Sequence, residues 1–168
     1  MINENSTKEE VMEAVKQDGS ALSYASEELR NDREVVMAAV KHEGYALDDA
    51  SDELRNDREV VMEAVQQDWR ALRYASEELR NDREVVMEAV KQDGSIALSY
   101  ASEELKGDRD FILEAVQQDW RALKYASKEL TNDTDVVKAA LSQSWDAVNY
   151  ASRRIQRNII QDWLGIKE

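Results

Sequence analysis

The residues here that could do chemistry are few, and they are contact groups rather than reactive ones. Tryptophan and cations stand together twice, as Trp69-Arg70 with Arg73 and as Trp120-Arg121 with Lys124. Trp145 holds the same place a third time without the cations. A tryptophan buries a large rigid area and a guanidinium makes several directed hydrogen bonds, so both dominate interface energetics. The competing reading is local. Each Trp folds over its own helix end and each Arg pairs with a nearby acid, its stem lying on apolar surface.

Reactive chemistry has little to work with. His42 is the one histidine and cysteine is absent, so no His/Cys metal cluster and no Ser-His-Asp triad can be assembled. Asp93-Gly94-Ser95 opens like a calcium loop. Ala97 and Leu98 then stand where the loop needs an oxygen ligand and its glycine. No glycine-rich phosphate loop occurs. Paired carboxylates such as Glu77-Glu78 serve as general acid and base only when buried at a defined separation, and these lie in a charge-laced segment. The expectation is a protein with no catalytic residue, no metal and no cofactor.

The elements that would position the contact groups come from a repeat. Residues 57–81 read DREVVMEAVQQDWRALRYASEELRN, and related copies start at Thr7, Asp32, Asp57, Asp82, Asp108 and Asp133. Self-similarity at a short fixed period marks a stacked array whose units bury apolar faces on each other. Asp57 before an apolar-periodic run reads as an N-cap, its carboxylate accepting from free N–H groups and favouring the positive helix end. Val61, Ala64 and Val65 recur at helical spacing. Gly19, Gly44 and Gly94 follow the first helix in three copies, where a left-handed C-terminal residue is favoured. A second amphipathic stretch follows, Ala71, Leu72, Ala75 and Leu79. Ser76, like its counterparts Ser26, Ser51, Ser102, Ser127 and Ser152, is expected to cap a last turn. His42 stands in a column that is otherwise glutamine, which predicts a bland surface place.

The ends differ from the middle. The fourth position is Val or Phe in five copies and Glu10 in the first; the sixth is Met or Leu in five and Lys138 in the last. Polar residues at an unpartnered face are what capping repeats require. Ile155, Ile159, Ile160, Trp163 and Leu164 form an apolar helical pattern that predicts a lid. Invariant alanines, such as Ala14, Ala39, Ala64, Ala89, Ala115 and Ala140, are expected to let helices approach closely. An extra residue enters the fourth copy, read as Ile96 inserted after Ser95. A continuous coiled coil is the rival architecture, since Val61, Val65, Trp69 and Leu72 come close to a heptad seam. The glycines, the Asn-Asp junctions and the insertion count against it.

The pattern D-x-x-x-V-x-x-A-V followed by A-L-x-Y-A-S-x-x-L-x-N-D resembles the repeats of domain-of-unknown-function family 4116. Residues 25–40 (ASEELRNDREVVMAAV) and 75–90 (ASEELRNDREVVMEAV) carry the likeness most clearly. The resemblance implies tandem arrays of short helices and brings no catalytic residue. Tryptophan in the glycine column departs from it.

Composition sets bounds. Apolar residues make up 42% of 168, proline is absent and glycine numbers five, so a helical core is favoured. Net charge is −14, which repels phosphates and speaks against direct nucleic-acid binding. Residues 32–56 carry seven acids against three bases, whereas residues 153–168 carry four bases against two acids. A basic tail and an acidic body allow head-to-tail self-association. No signal-peptide pattern and no long apolar run appears. The expectation is therefore a soluble cytoplasmic protein without membrane contact.

These readings combine into an all-α solenoid of six two-helix repeats, 7–31, 32–56, 57–81, 82–107, 108–132 and 133–157, with a C-terminal cap over 158–168. The expected function is a non-enzymatic scaffold for a protein or peptide. Trp69, Trp120 and Trp145 are the expected anchors; Arg70, Arg73, Arg121 and Lys124 form the polar rim. On that reading, Trp69 and Trp120 could be changed to Ala without loss of helix. Two alternatives remain: an acidic mimic of nucleic acid that blocks a basic site, and a repeat protein with no specific partner.

Overall fold

A computed structural model describes residues 2–164, and the side chains of Ile160, Asp162, Trp163 and Leu164 lie outside the description. Among the described residues there are helices and turns but no strand. Each repeat opens with an α-helix: Lys8–Val15, Arg33–His42, Arg58–Gln67, Arg83–Asp93, Arg109–Gln118 and Thr134–Leu141. The aspartates do cap them. Asp57 accepts from the N–H groups of Glu59 and Val60 at 2.9 and 3.1 Å, and Asp133 from those of Asp135 and Val136. Thr7 makes a reciprocal capping box with Glu10.

The second stretch is not an α-helix. It is a six-residue 3₁₀ helix in every copy: Gly19–Tyr24, Gly44–Asp49, Trp69–Tyr74, Gly94–Ser99, Trp120–Tyr125 and Trp145–Tyr150. Where the end of each stretch is given, an extended alanine stops it, as Ala50 does at φ −72°, ψ 157°. The span is thus held to six residues. The serine column then caps one further turn: Ser51 Oγ accepts from the Leu54 N–H at 3.3 Å, at the head of Asp52–Arg55. The two-helix repeat of the sequence reading is therefore an α-helix, a 3₁₀ helix and a capped turn.

The chain divides into two compact units, Met1–Asp93 and Gly94–Glu168. Within the first, the opening α-helices pack side by side, and the three six-residue 3₁₀ helices pack in a row of their own. Within the second, Arg109–Gln118 packs on Thr134–Leu141, and its three six-residue 3₁₀ helices likewise form a row. The fold is an all-α solenoid of tandem repeats. The alanine columns explain the close stacking: Ala39, Ala64, Ala89, Ala115 and Ala140 are fully buried, as are Ala46, Ala71, Ala97, Ala122 and Ala147. Val35, Val60, Val85, Phe111 and Val136 are also fully buried. Each such side chain contributes about 1.5–3 kcal/mol relative to exposure, with Phe111 at the high end. Their counterpart Glu10 is exposed, as is Lys138 at the other end.

Polar bonds repeat along the stack. The second residue of one copy reaches the first and third of the next: Arg33 bonds Asp57 at 2.9 Å and also Glu59; Arg109 bonds Asp133 at 2.9 Å and Asp135 at 2.7 Å; Lys8 meets Asp32 and Glu34. Backbone rungs run beside them, with Ser51, Ser76, Ser127 and Ser152 each donating N–H to the carbonyl of Arg30, Arg55, Lys106 and Thr131. The last repeat extends its turn into a helix, Arg153–Leu164, so the cap begins before residue 158. Ile155 is buried and Ile159 half-buried; residues 165–168 of the expected cap lie outside the described residues.

Candidate interaction edge

The 3₁₀ row is built from residues upward by one small device. In four copies the residue before the helix is extended and its side chain turns the chain: Asp18 accepts from the Ser20 N–H at 3.0 Å, Asp68 from Arg70 at 2.9 Å, Asp119 from Arg121 at 3.0 Å and Ser144 from Asp146 at 3.2 Å, while Glu43 is extended without such a bond. The third and fourth positions, an alanine and an aliphatic residue, then turn inward. The second and fifth turn outward. Tyr45, Arg70, Ile96, Arg121 and Asp146 are exposed at the second; Ser23, Asp48, Arg73, Ser99, Lys124 and Asn149 at the fifth. The second and fifth positions vary between copies and face solvent, whereas the first, which also varies, is buried at Gly19, Gly44, Trp69 and Ser95.

Trp69, Arg70 and Arg73 lie in the first unit, and Trp120, Arg121, Lys124 and Trp145 in the second. Trp69 is only 8% exposed, whereas Trp145 is 57% exposed and Trp120 lies between. The Arg70 guanidinium lies 4.9 Å from the Trp69 ring and 3.4 Å from Asp68; Arg121 lies 5.0 Å from Trp120 and 3.3 Å from Asp119. The local reading thus describes these two arginines: each stacks on its own tryptophan beside its own cap. Arg73 stands over Tyr74 at 5.0 Å and Lys124 over Tyr125 at 5.3 Å, geometry in which a cation meets the ring's negative face. The burial of Trp69 also changes what its removal tests. Loss of stability is now expected there, rather than an intact helix with lost capture.

Several contributors escaped the sequence reading. Tyr45 meets Tyr74 of the next copy edge-on, centroids 6.0 Å apart, and Trp120 meets Tyr150 of the next copy at 6.0 Å. Tyr45 is the one aromatic residue in its column, which was the available signal. Burial first, and Asp48 next, hold the Tyr74 phenol above its usual pKa. His42 is exposed as expected, but it is also a bracket: its Nδ1 accepts the Gly19 N–H at 3.3 Å. Gln92, in the same column, accepts the Trp69 N–H at 3.1 Å and donates to the Val65 carbonyl at 2.5 Å. Gln143 donates to the Val116 carbonyl in the same way.

The glycine column also needs correcting. Only Gly94 is left-handed, at φ 63°. Gly19 and Gly44 are required by close approach instead, since a Cβ would stand 2.7 Å from the Ala39 carbonyl oxygen and 2.2 Å from that of Ala64. Gly94, not Ile96, absorbs the extra residue. Ser95 takes the buried place of Trp69, 2% exposed with its N–H on Asp119 at 3.1 Å, and Ile96 takes the exposed place of Arg70.

Among the described residues, no three His, Asp or Glu side chains converge to hold a metal, and no helix is long and apolar enough to cross a membrane. Stacked α-helix and 3₁₀ rows with an outward variable ridge define a tandem helical-repeat protein. Residues 7–55, 32–80, 57–106 and 108–156 each match the family described as Domain of unknown function (DUF4116), and the chain belongs to that family. No curated protein and no solved structure matches it.

Proposed function

We propose that this chain is a non-enzymatic interaction scaffold whose contact surface is the outward ridge of its 3₁₀ rows. One observation carries the reading. The large hydrophobic side chains exposed among the described residues, Tyr24, Tyr45, Ile96 and Trp145, at 49–61%, all sit on 3₁₀ helices. Apolar groups concentrated on one feature of a charged surface mark a contact site rather than scattered exposure. Stacked cations at Arg73 and Lys124 frame them, and the partner class that fits is a protein or peptide segment. Reactive groups are sparse enough that no catalytic role is assigned.

The test is selection of random peptides displayed on phage against the whole chain, followed by affinity measurement. Binders are expected to lose affinity roughly tenfold or more when Tyr45, exposed on the first row, or Trp145, exposed on the second, is changed to Ser. Binders indifferent to both changes would overturn the reading. Affinity that collapses with salt yet ignores these two residues would favour nucleic-acid mimicry by the acidic surface instead.

A further inference from the structure

We propose that the C-terminal end of one molecule receives the N-terminal end of a second copy, continuing the repeat stack from chain to chain. The argument starts from how successive copies join inside each unit. One face of each opening helix looks forward and carries its second, fifth, sixth and ninth positions. The other looks back and carries the fourth, eighth and eleventh. The second residue bonds the next copy's cap, and the eleventh reaches back to the carbonyl of the previous copy's ninth, as Gln92 does to Val65 and Gln143 to Val116.

Among the described residues each end carries a groove. A groove on the last repeat is lined by Thr134, Val137, Lys138 and Leu141, its forward positions, with Arg154 and Ile159 from the final helix as a wall. A groove on the first repeat is lined by Glu10, Ala14 and Gln17, its backward positions, with Glu13, the seventh, at their edge, beside Ile2 and Ser6. Two features of these ends go beyond polar capping. The first repeat keeps the small alanine, Ala14, and the bracketing glutamine, Gln17, on a face against which no helix among the described residues packs from the N-terminal side. The charges are also opposite in sign, Glu10 and Glu13 on one end, Lys138 and Arg154 on the other. Glu10 serves its own capping box and Arg154 holds Asn132 at 2.9 Å, while Glu13 and Lys138 have no ion pair among the described residues. Thr134 and Thr7 replace the cation and the cap that join inner copies, so the junction strands no partner of that ladder. The geometry places Gln17 to bracket the Leu141 carbonyl and Glu13 to meet Lys138. Such a heterologous contact does not close and builds open chains.

Sedimentation velocity of the whole chain at rising concentration and low salt tests this. A progressive series of oligomers is expected, shifted back toward monomer by salt. Lys138→Glu alone and Glu13→Lys alone should each weaken association by about tenfold, since like charges then face each other. An equimolar mixture of the two variants should recover the open series with the variants alternating, since each end then meets an opposite charge, and the double variant should regain the series on its own. Gln17→Ala should weaken association without altering its salt dependence. Circular dichroism of each exposed-residue variant should match the parent. A chain that stays monomeric throughout, a closed dimer that grows no further, or association that ignores both charge reversals would overturn the proposal. None of these outcomes touches the ridge, so it stands or falls separately from the scaffold reading.

Discussion

The two 3₁₀ rows are written in the same register and end differently. In the first unit the tryptophan at the leading position, Trp69, is almost wholly covered; in the second, Trp145 stands more than half exposed. Trp120, between these extremes, lies against Tyr150 of the copy that follows it. Among the described residues no further 3₁₀ helix follows Trp145. One residue type in one column is therefore core or contact depending on whether a neighbour closes over it. The aromatic pairs differ as well. Tyr45–Tyr74 has Asp48 at its side, whereas the equivalents of Asp48 in the second row are Ser99, Lys124 and Asn149.

The contrast is broken most directly by removing the two tryptophans. Trp69→Ala should cost about 3–5 kcal/mol, the usual penalty for emptying a buried aromatic site. Trp145→Ala should stay within about 0.5 kcal/mol. Urea midpoints of both variants measure this, and equal shifts would show that exposure does not separate the two positions. Next in size are two glycines. Gly44→Ala forces a methyl against the Ala64 carbonyl and should cost about 1–3 kcal/mol by overpacking. Gly107→Ala, where a methyl meets nothing, should be neutral or stabilising by about 0.5 kcal/mol through the unfolded chain. The same denaturation series decides both.

Much of this fold is readable along the chain because its signals are local and repeated. The Asp57 cap, the serine-capped turn, the alanine columns and the polar ends at Glu10 and Lys138 all follow from residue type at a fixed position. Other features depend on relations across copies. Nothing in the local pattern shows that Ala64 of the next repeat crowds Gly44, or that Gln92 reaches back to Trp69. The 3₁₀ geometry was missed because Ala, Leu and Tyr fit an α-helix equally well; its length limit comes from the capped turn that follows. Of the candidate contact residues, the exposure of Arg70, Arg73, Arg121 and Lys124 follows from position in the column. The burial of Trp69 does not, since the same letter at Trp145 is exposed.

The smallest expected effect concerns acidity, and two columns of the repeat answer it with opposite signs. Burial tends to raise Asp57 and Asp82, but hydrogen bonds from Arg33 and Arg58 and from helix N–H groups outweigh it and leave both below the usual range. The Arg109 hydrogen bond leads in lowering Asp133. A carboxylate with a depressed folded pKa stabilises the fold above its unfolded value of about 3.9. That contribution fades as pH falls through the lower folded value. Asp49 runs the other way. Burial first, then neighbouring Asp48, push it up, with Arg30 opposing. Its protonated form favours the fold, so its contribution is present at low pH and lost as pH rises. Tyr125 and Tyr150 hold that column in the second unit without such a charge. Asp49→Tyr should therefore raise stability at pH 7 by about 0.5 kcal/mol, the scale of a partly exposed substitution, and by less near pH 3. Thermal unfolding at the two pH values measures the difference. A gain of the same size at both would remove the carboxylate as its cause and leave only the added ring.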